Sequence, residues 1–433
     1  MGVEYGALNR YSSYGQPSLD LVFTGPKKSL RNRIGNQQVE FTRDSIGTYV
    51  DENGIIQTAA SGEARFDHDS ATGESLGLLV EESRTNYFTD SNSITGWSNP
   101  YGCTILSNTT LAPDGTVTAD KLVETNGSLY NGISKTPSGI SGHYTVSIYA
   151  KSAERGYVAL RVQDTLANQT GITVNLSNGQ TTLTVGNLQY LLSSNVQAYG
   201  NGWFRISCTY DSSQVNRPLF IWVSKDGTEN GANRIPTYTG DGTSGIYIWG
   251  TQLEEGSFPT SYIPTSGSTV TRSADVASMT GTNFSSWFNQ TEGSIFTVAR
   301  IGDLSTANQT IASAEETASS VQFNSLGYRV GGGGSGYIGA WSYNSTGQAF
   351  FNINAGITSN TEFKAIHSYK TDDYAASVNG SVPVTDTTGT ASTTIDRLRI
   401  GAGVYGSVVT GTISRLTYYP TRLSNDQLQA LTL

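Results

Sequence analysis

Apolar and polar residues alternate along most of this chain, as they do in β-strands that bury one face. Clear examples are YTVSIYA at 144–150 and VEFTR at 39–43. The run RPLFIWVS at 217–224 is nearly all apolar, so we expect this strand to be buried on both faces. Turn residues separate the strands at short intervals, which is typical of two-sheet sandwiches.

Two hairpins are predicted from turn chemistry. Residues 39–58 contain VEFTR and GTYV followed by DENG, in which Gly54 can adopt a positive φ. Residues 374–384 form the second hairpin, with its turn at Asn379 and Gly380. Both predictions rest on local sequence alone.

The end of the sequence predicts a short helix after a last strand that Pro420 ends. Ser424 and Gln427 match the S-x-x-Q capping box, and Leu428 and Leu431 fall on one helical face. So short a helix has little stability alone. We therefore expect its leucines to be buried against a sandwich.

Changes in the pattern divide the chain into parts. We predict an all-β fold of tandem antiparallel β-sandwiches (jelly rolls), with a small N-terminal β-hairpin docking module and a short C-terminal helix. The boundaries are 1–88 for the docking module, 89–265 for the first sandwich, 266–280 for a linker and 281–433 for the second sandwich. Glu81, Glu82 and Arg84 follow a buried run and predict either a local ion pair or a clamp onto the next domain.

The net charge of the chain limits the classes of partner that we expect. The net charge is −9 and the pI about 4.9, so nucleic acid and anionic membranes would be repelled, and we expect neither as the main partner. The opening residues lack a basic start followed by an apolar run, so we expect no signal peptide and no membrane insertion. The one basic cluster, PKKSLRNR, is either a solvated loop or a docking arm, with candidate docking residues Lys27, Lys28, Arg31 and Arg33.

No catalytic constellation is evident, and we predict that the protein is not an enzyme. The three histidines, His68, His143 and His367, accompany no nucleophile motif. His68 lies between two aspartates, but adjacent strand residues point to opposite faces, so no metal site is predicted. The loops KDGTENG and TGDGTSG offer oxygen ligands that would suit Ca²⁺, yet such residues more often form turns, and no cofactor is assigned.

The cysteine and glycine patterns predict no reactive or ligand-binding site. Cys103 and Cys208 each lie in an apparent strand and are interpreted as small buried side chains, with a bond between them left open. The run GGGG at 331–334 is followed by strand-like aromatic residues rather than a helix, so we predict a loop and no phosphate site.

Sugar binding requires exposed aromatic rings beside polar side chains. The candidates are Trp341, Tyr343 and Tyr337 near the glycine run, and Trp97, Tyr101 and Tyr130 in loops of the first sandwich. Each ring could instead pack against a sheet. Trp222 and Trp249 lie in apolar strands and are predicted to belong to the core.

Several long motifs resemble those of bacteriophage structural proteins. DDYAASVNG, LRIG, GTISRLTYYPTRLS and LQALTL resemble the concanavalin A-like (laminin G-like) domain that ends many phage tail and appendage proteins. Residues 39–88 are similar to a module near the start of such proteins. The stretch YTGDGTSGIYIWGTQLEEGSFPTSYIPT resembles a carbohydrate-binding-module-like jelly roll of the same class.

The resemblance implies a virion component, assembled in the host cytoplasm, from a tail fibre, baseplate or head fibre. Its expected partners are other virion proteins and a host cell-surface polysaccharide bound during adsorption. Because a single sugar site binds weakly, we expect a homo-oligomer, for which a trimer is one arrangement. The alternative is a structural adaptor or cement protein with no ligand, and the third hypothesis is a polysaccharide depolymerase.

Overall fold

The computed structural model describes residues 15–163, 168–187, 189–214, 217–228, 234–302, 304, 308–318, 322–330, 336–403 and 407–433. These residues form a nearly all-β structure of antiparallel sheets with a short C-terminal helix, which confirms the predicted fold class. The glycine run predicted as a loop lies outside the described residues. Within them, no helix is long and apolar enough to cross a bilayer.

The strands follow one another in three stretches of the chain. The first stretch contains β1 Leu19–Val22, β2 Glu40–Thr42, β3 Gly47–Val50, β4 Ile56–Ala59, β5 Phe66–His68, β6 Ser75–Val80 and β7 Arg84–Asn86. The second contains β8 Thr104–Leu111, β9 Val117–Val123, β10 Gly132–Lys135, β11 Tyr144–Ser152, β12 Tyr157–Gln163, β13 Gln169–Asn175, β14 Thr181–Val185, β15 Leu191–Tyr199, β16 Trp203–Tyr210, β17 Leu219–Ser224 and β18 Gly245–Glu255.

The third stretch contains the remaining strands and the helices. The strands are β19 Val270–Arg272, β20 Val276–Thr280, β21 Glu292–Ile301, β22 Gln309–Glu315, β23 Gln322–Val330, β24 Gly336–Asn344, β25 Thr346–Ile353, β26 Phe363–Lys370, β27 Tyr374–Val378, β28 Val384–Asp386, β29 Arg397–Ile400, β30 Ser407–Val408 and β31 Gly411–Tyr419. The helices are α1 Gly281–Ser285 and α2 Asn425–Thr432, and short 3₁₀ turns cover Gly200–Gly202 and Ser212–Gln214.

The middle sandwich consists of a six-stranded sheet, β15-β16-β11-β18-β9-β8, and a five-stranded sheet, β10-β17-β12-β13-β14. Alternate apolar residues of both sheets meet in one core, with Val146, Leu160 and Ile221 fully buried there. All six residues of β17 are buried, as its apolar sequence predicts. Cys103 and Cys208 are buried and not bonded to each other.

The terminal sandwich combines strands from both ends of the chain. One sheet has the order β28-β27-β26-β21-β31-β6-β5, with β1 also paired to β31, and the other has the order β2-β20-β29-β22-β23-β24-β25, with β30 paired to β22. Beside β31, Leu21 pairs with Leu416 and Leu78 pairs with Ile413. Both leucines at 21 and 78 are fully buried in the core that the two sheets enclose.

These pairings revise the predicted order of consecutive modules. Strands β1, β2, β5 and β6 belong to the terminal sandwich, so residues 15–80 do not form a separate N-terminal module in the structure. Hairpin β3–β4 forms with the predicted turn, whereas β2 pairs with β20 instead of β3. Between β7 and β19, which pair with each other, the chain forms the middle sandwich as an insertion. Local alternation identifies strands, but it does not identify partners that are distant in sequence.

Buried charges lie where the insertion begins and ends. Arg65 Nη1 is 2.7 Å from Glu81 Oε2, and Arg65 Nη2 is 2.5 Å from Asp275 Oδ2. Arg43 also bridges Asp275, at 3.1 Å, and Arg272 approaches Glu81 at 3.5 Å. All five side chains are at most 3% exposed. Such a network is costly to break, because removing one partner leaves a buried charge uncompensated.

The same region connects the two sandwiches. The backbone N–H and Oγ of Ser261, just after the middle sandwich, donate to Glu81 at 2.7 and 2.6 Å. Arg84 donates to the backbone carbonyl of Glu255 at the end of β18. Val50 and Ile56 of the β3–β4 hairpin pack against Trp249 and its aromatic neighbours on the outer face of the six-stranded sheet. Arg84 Nε also donates to Glu82 Oε1 at 2.6 Å, so the 81–84 segment forms the expected local ion pair and also contacts the middle sandwich as a clamp between domains.

The two remaining local predictions are confirmed. Ser424 and Gln427 form a capping box at the start of α2, and Leu428 is fully buried against the outer face of the sheet that contains β31. β27 and β28 pair as a hairpin, and Asn379 and Gly380 in its turn have φ values of 46° and 72°.

Candidate functional site

The six rings predicted to bind sugar lie in three separate places. Trp341, Tyr343 and Tyr337 are in β24 of the terminal sandwich. Trp97 lies in a loop that packs into the core of the middle sandwich. Tyr101 and Tyr130 lie together on the outer face of the five-stranded sheet, on the opposite side of that sheet from the core. Only the last pair is brought together from distant positions in the sequence.

The β24 rings lie on the outer face of their sheet, because Ile338 and Ala340 alternate with them into the core. Trp341 is only 4% exposed, and the guanidinium of Arg329 lies 4.1 Å from its ring centroid. The expectation that Trp341 projects into solvent is therefore wrong. Tyr337 and Tyr343 are half-buried.

The exposed ring on this face is Phe350, which the sequence analysis did not select. Phe350 is directly opposite Trp341 in the neighbouring strand and is 56% exposed. Tyr343 stacks on Phe323, with 5.4 Å between the ring centroids and an angle of 3° between the planes. Alternation in AFFNI, where Ala349 and Phe351 are buried, was the signal that could have found Phe350.

Trp97 is not available to a ligand. Its side chain is 4% exposed, and its ring centroid is 5.4 Å from that of Phe88. The amine of Lys135 lies over both rings, 6.0 Å from Trp97 and 5.2 Å from Phe88. The prediction of an exposed loop ring fails here because the loop folds inward and fills one end of the core.

Tyr101 and Tyr130 form the centre of the candidate site. Their ring centroids are 5.6 Å apart, and Tyr101 is 5.1 Å from Trp222. Trp222 in turn stacks on Phe220 at 5.2 Å, with an angle of 9° between the planes. Trp222 is fully buried as predicted, but it lies on the outer face of its sheet, because Ile221 beside it points into the core. The half-buried rings of Tyr101 and Tyr130 therefore lie against Trp222 and Phe220, and we call these four rings the tyrosine patch.

Polar side chains lie beside this patch. Gln169 Oε1 accepts a hydrogen bond from the Trp222 indole at 2.7 Å. In the adjacent strand, Arg161 Nη2 donates to Thr173 Oγ1 at 2.6 Å. Gln169, Arg161 and Thr173 are at most 1% exposed, so they support the sheet face beneath the patch, whereas the partly exposed tyrosine rings supply contact area for a ligand.

The two tyrosine hydroxyls are the free polar groups of the patch. Neither hydroxyl has a hydrogen-bond partner within the part of the chain that the structure describes. Burial, together with the neighbouring Tyr130, raises the pKa of Tyr101, so this phenol remains protonated and can donate a hydrogen bond at neutral pH. Both rings are half-buried and therefore partly open to solvent.

The loops that carry these tyrosines are held by backbone contacts. Thr125 Oγ1 donates to the carbonyl of Tyr101 at 2.8 Å, and Ser128 Oγ donates to the carbonyl of Tyr130 at 2.8 Å. The buried Asn131 accepts a hydrogen bond from the backbone of Thr125 at 2.9 Å. These contacts preorganise the rings, which reduces the entropy lost when a ligand binds.

The histidines are dispersed. His68 is buried and contacts the Val50 carbonyl and Lys28 Nζ, each at 2.9 Å. His367 is fully buried between the sheets of the terminal sandwich, 3.2 Å from Ser342 Oγ, and burial lowers its pKa to about 3. That serine–histidine pair is closed off from solvent at both residues.

The two loops considered as calcium sites lie at 225–231 and 239–245. Asp241 accepts hydrogen bonds from the 243–244 backbone and from Ser244 Oγ, which is turn chemistry, and residues 229–233 of the other loop lie outside the description. Among the described residues, no group of three acidic, histidine or cysteine side chains is arranged to hold a metal.

Of the docking candidates, Lys27, Arg31 and Arg33 are exposed, whereas Lys28 is half-buried against His68.

Comparisons with known proteins add little to this geometry. No protein-family model and no curated protein matches the chain. Similar solved structures include the CBM40 of Ruminococcus gnavus IT-sialidase, at 16% identity and a TM-score of 0.29, covering 34% of this chain and 84% of that one. Domain 4 of AbnA, a GH43 extracellular arabinanase from Geobacillus stearothermophilus solved with arabinotriose, has 15% identity and a TM-score of 0.28, covering 37% and 73%. The mouse laminin α1 chain domains LG4-5 have 11% identity and a TM-score of 0.25, covering 81% and 93%. At these TM-scores the likeness carries no argument about a ligand.

Proposed function

We propose that this protein binds carbohydrate without turning it over, as an appendage protein of a bacteriophage virion that contacts host-surface polysaccharide during adsorption. The observation that carries the binding proposal is the position of Tyr101 and Tyr130 next to Trp222. The hydroxyls of both tyrosines make no hydrogen bond to any described residue. Partly exposed rings suit the apolar faces of pyranoses, and phenol hydroxyls suit their polar edges.

The virion role is supported by the resemblance of the C-terminal, middle and N-terminal motifs to phage structural proteins. In this proposal, the exposed cations Lys27, Arg31 and Arg33 contact an acidic surface on another virion protein. A homo-oligomer would present several copies of the tyrosine patch, which raises avidity through effective concentration. Labelling of purified virions with an antibody against the chain tests this role directly.

A glycan array of bacterial surface polysaccharides tests the binding proposal. The wild-type chain is expected to bind a subset of glycans saturably, and Tyr101→Ala and Tyr130→Ala are each expected to weaken that binding by about fivefold or more. Tyr101→Phe and Tyr130→Phe retain the rings and separate the contribution of the hydroxyls.

The matched control is Tyr247→Ala, which removes a half-buried tyrosine from the six-stranded sheet of the same sandwich. It is expected to leave binding unchanged. Binding that survives both alanine substitutions in the 101–130 patch, in protein with an unchanged melting temperature, would contradict the proposed site. Release of reducing sugar from a bound polysaccharide would favour a depolymerase instead.

One observation favours the adaptor alternative. Phe350 is 56% exposed on β25, the last strand of its sheet, next to a stacked aromatic pair. An exposed ring on an edge strand suits a contact with another protein. If Phe350→Ser prevented incorporation into virions while no glycan bound the wild-type chain, the structural role would replace adsorption.

A further inference from the structure

A deep cleft separates the two sandwiches and is distinct from the tyrosine patch. Its volume is about 1020 Å³, at the upper end of the roughly 300–1,000 Å³ typical of ligand pockets. One wall is the outer face of β15 and β16 in the middle sandwich. The opposite wall comes from β5, β6 and the start of β31 in the terminal sandwich, and residues 257–262 close one side.

Arg205 on β16 is the unusual residue of this cleft. It is 8% exposed, and its Nη2 donates to Ser147 Oγ at 3.0 Å. Its guanidinium carbon lies 5.5 Å from the ring centroid of Tyr149. Its Nε is buried without a hydrogen-bond partner, and within the described part of the chain no carboxylate forms an ion pair with it. Buried cations are normally paired, so this guanidinium can accept an anionic group as a partner.

The nearby carboxylates are already committed to other groups. Glu81 is bound by Arg65, Arg272 and Ser261. Glu254 accepts hydrogen bonds from Gln252 Nε2 at 2.7 Å and Thr260 Oγ1 at 2.5 Å.

Asp67 lines the opposite wall and accepts the backbone N–H of Val50 at 2.7 Å. Arg205 therefore keeps its charge available to a ligand that enters the cleft.

The wall around Arg205 is rich in hydroxyl and amide groups. Ser193, Asn195 and Gln197 of β15 are exposed, and the register places Asn195 opposite Ser207 and Gln197 opposite Arg205. Neither amide, at 195 or 197, makes a side-chain hydrogen bond among the described residues. Groups of this kind suit the hydroxyls of a sugar ring.

The facing wall is partly apolar. Leu76 and Leu79 line it, and the rings of Tyr149 and Tyr199 pack edge to face at one end of the cleft, 4.9 Å apart. A saccharide has polar edges and apolar faces, so its apolar face complements the two leucines of the facing wall and its edges complement the polar β15 side chains. A planar guanidinium binds a carboxylate in a bidentate geometry.

We propose that the cleft between the sandwiches binds a carboxylate-bearing saccharide, with Arg205 receiving the carboxylate and the β15 side chains contacting the hydroxyls. The proposal does not depend on the Tyr101–Tyr130 patch, which lies on the other sheet of the middle sandwich. It adds a site and a ligand class to the carbohydrate binding proposed above.

Calorimetric titration of the full chain tests this site. The probes are trigalacturonate, a hyaluronan tetrasaccharide and sialylated lactose, with methyl-esterified trigalacturonate, lactose and acetate as comparisons. At least one carboxylated saccharide is expected to bind, with its uncharged counterpart and acetate binding about tenfold more weakly or not at all. Arg205→Gln is expected to reduce the affinity for that saccharide by about tenfold or more.

A double variant in β15 and a control variant still test the site if Arg205→Gln destabilises the fold. The pair Asn195→Ala and Gln197→Ala changes exposed side chains only and is expected to weaken binding by several-fold. Lys225→Gln is the matched control, because it removes one positive charge from an exposed side chain of the same sandwich that does not line the cleft. It is expected to change the affinity by less than about twofold.

Several outcomes would overturn the proposal. They are the absence of binding by all three carboxylated saccharides, equal binding of acetate, and affinity that is unchanged by both Arg205→Gln and the β15 pair. Loss of the same binding in Tyr101→Ala would assign the carboxylated sugar to the tyrosine patch instead, which separates failure of this site from failure of the proposed function.

Discussion

At the scale of single residues, Asp67 makes stability depend on pH. Burial raises the pKa of its carboxyl from an ordinary value of 3.8 to about 7. Between these values the folded chain holds a proton that the unfolded chain releases, so the free energy of unfolding falls as the pH rises from 3.8 to 7. Asp67→Asn is expected to remove that fall, which amounts to about 4 kcal/mol because one pKa unit corresponds to about 1.4 kcal/mol.

Urea unfolding of the wild type and Asp67→Asn, near pH 4 and near pH 8, measures the effect. Asp69→Asn is a matched control with the opposite sign, because hydrogen bonds from Thr72 outweigh burial and lower the pKa of Asp69. A difference between the wild type and Asp67→Asn that is the same at both pH values would contradict the assignment to Asp67.

The ring residues show what a sequence can reveal at this scale. Alternation correctly places Trp222 in a buried strand, and it indicates which face of β24 carries Trp341. It does not reveal what covers that face. Trp341 lies beneath Arg329, which comes from the neighbouring strand, and Trp97 lies beneath Lys135 from another strand. The exposure of an aromatic side chain depends on such cross-strand neighbours, so candidate binding rings can be chosen from sequence but not ranked.

At the scale of elements, α2 is expected to be held mainly by burial of its leucine. Leu428→Ala removes a fully buried side chain and is expected to lower the free energy of unfolding by about 2–5 kcal/mol. Ser424→Ala removes the capping hydrogen bond to Gln427 N and should cost about 1 kcal/mol. Urea unfolding measures both, and Leu433→Ala serves as the control because Leu433 is 75% exposed. A cost for Leu428→Ala no larger than that for Leu433→Ala would show that the helix is not pinned.

Elements with local signals were predictable, whereas those with distant partners were not. The capping box and the Asn379–Gly380 turn are contained within a few residues, and each forms as expected. β2 lies within the 39–58 segment that was predicted as a hairpin, yet it pairs with β20, more than two hundred residues later. The alternation in β2 does not identify so distant a partner.

At the scale of the whole molecule, the order of the units changes the meaning of the sequence resemblance. The N-terminal and C-terminal motifs resemble two modules, but their strands share two sheets and one core. The cleft at Arg205 forms because the middle sandwich is inserted between the N-terminal and C-terminal strands of the terminal sandwich. The outer face of its six-stranded sheet lies opposite β5, β6 and the start of β31. No motif in the sequence signals that cleft, because its walls are joined by the tertiary structure alone.

The insertion also predicts which fragments fold. Residues 281–433 alone would keep the pairing of β31 with β21 but lack β1 and β6, which pair with the other edge of β31. The core would also lose Leu19, Leu21, Leu78 and Val80, all fully buried. That fragment is therefore expected to show no cooperative urea transition, whereas residues 89–265, which contain both sheets of the middle sandwich, should unfold cooperatively.

A deletion provides the decisive comparison. Asn86 pairs with Val270, so the two ends of the insertion lie next to each other, and residues 89–265 can be replaced by a short Gly/Ser linker. The resulting chain keeps all strands of the terminal sandwich and is expected to unfold cooperatively where residues 281–433 alone do not. Cooperative unfolding of residues 281–433 in isolation would show instead that the strands from residues 15–80 are additions to a sandwich that is already complete.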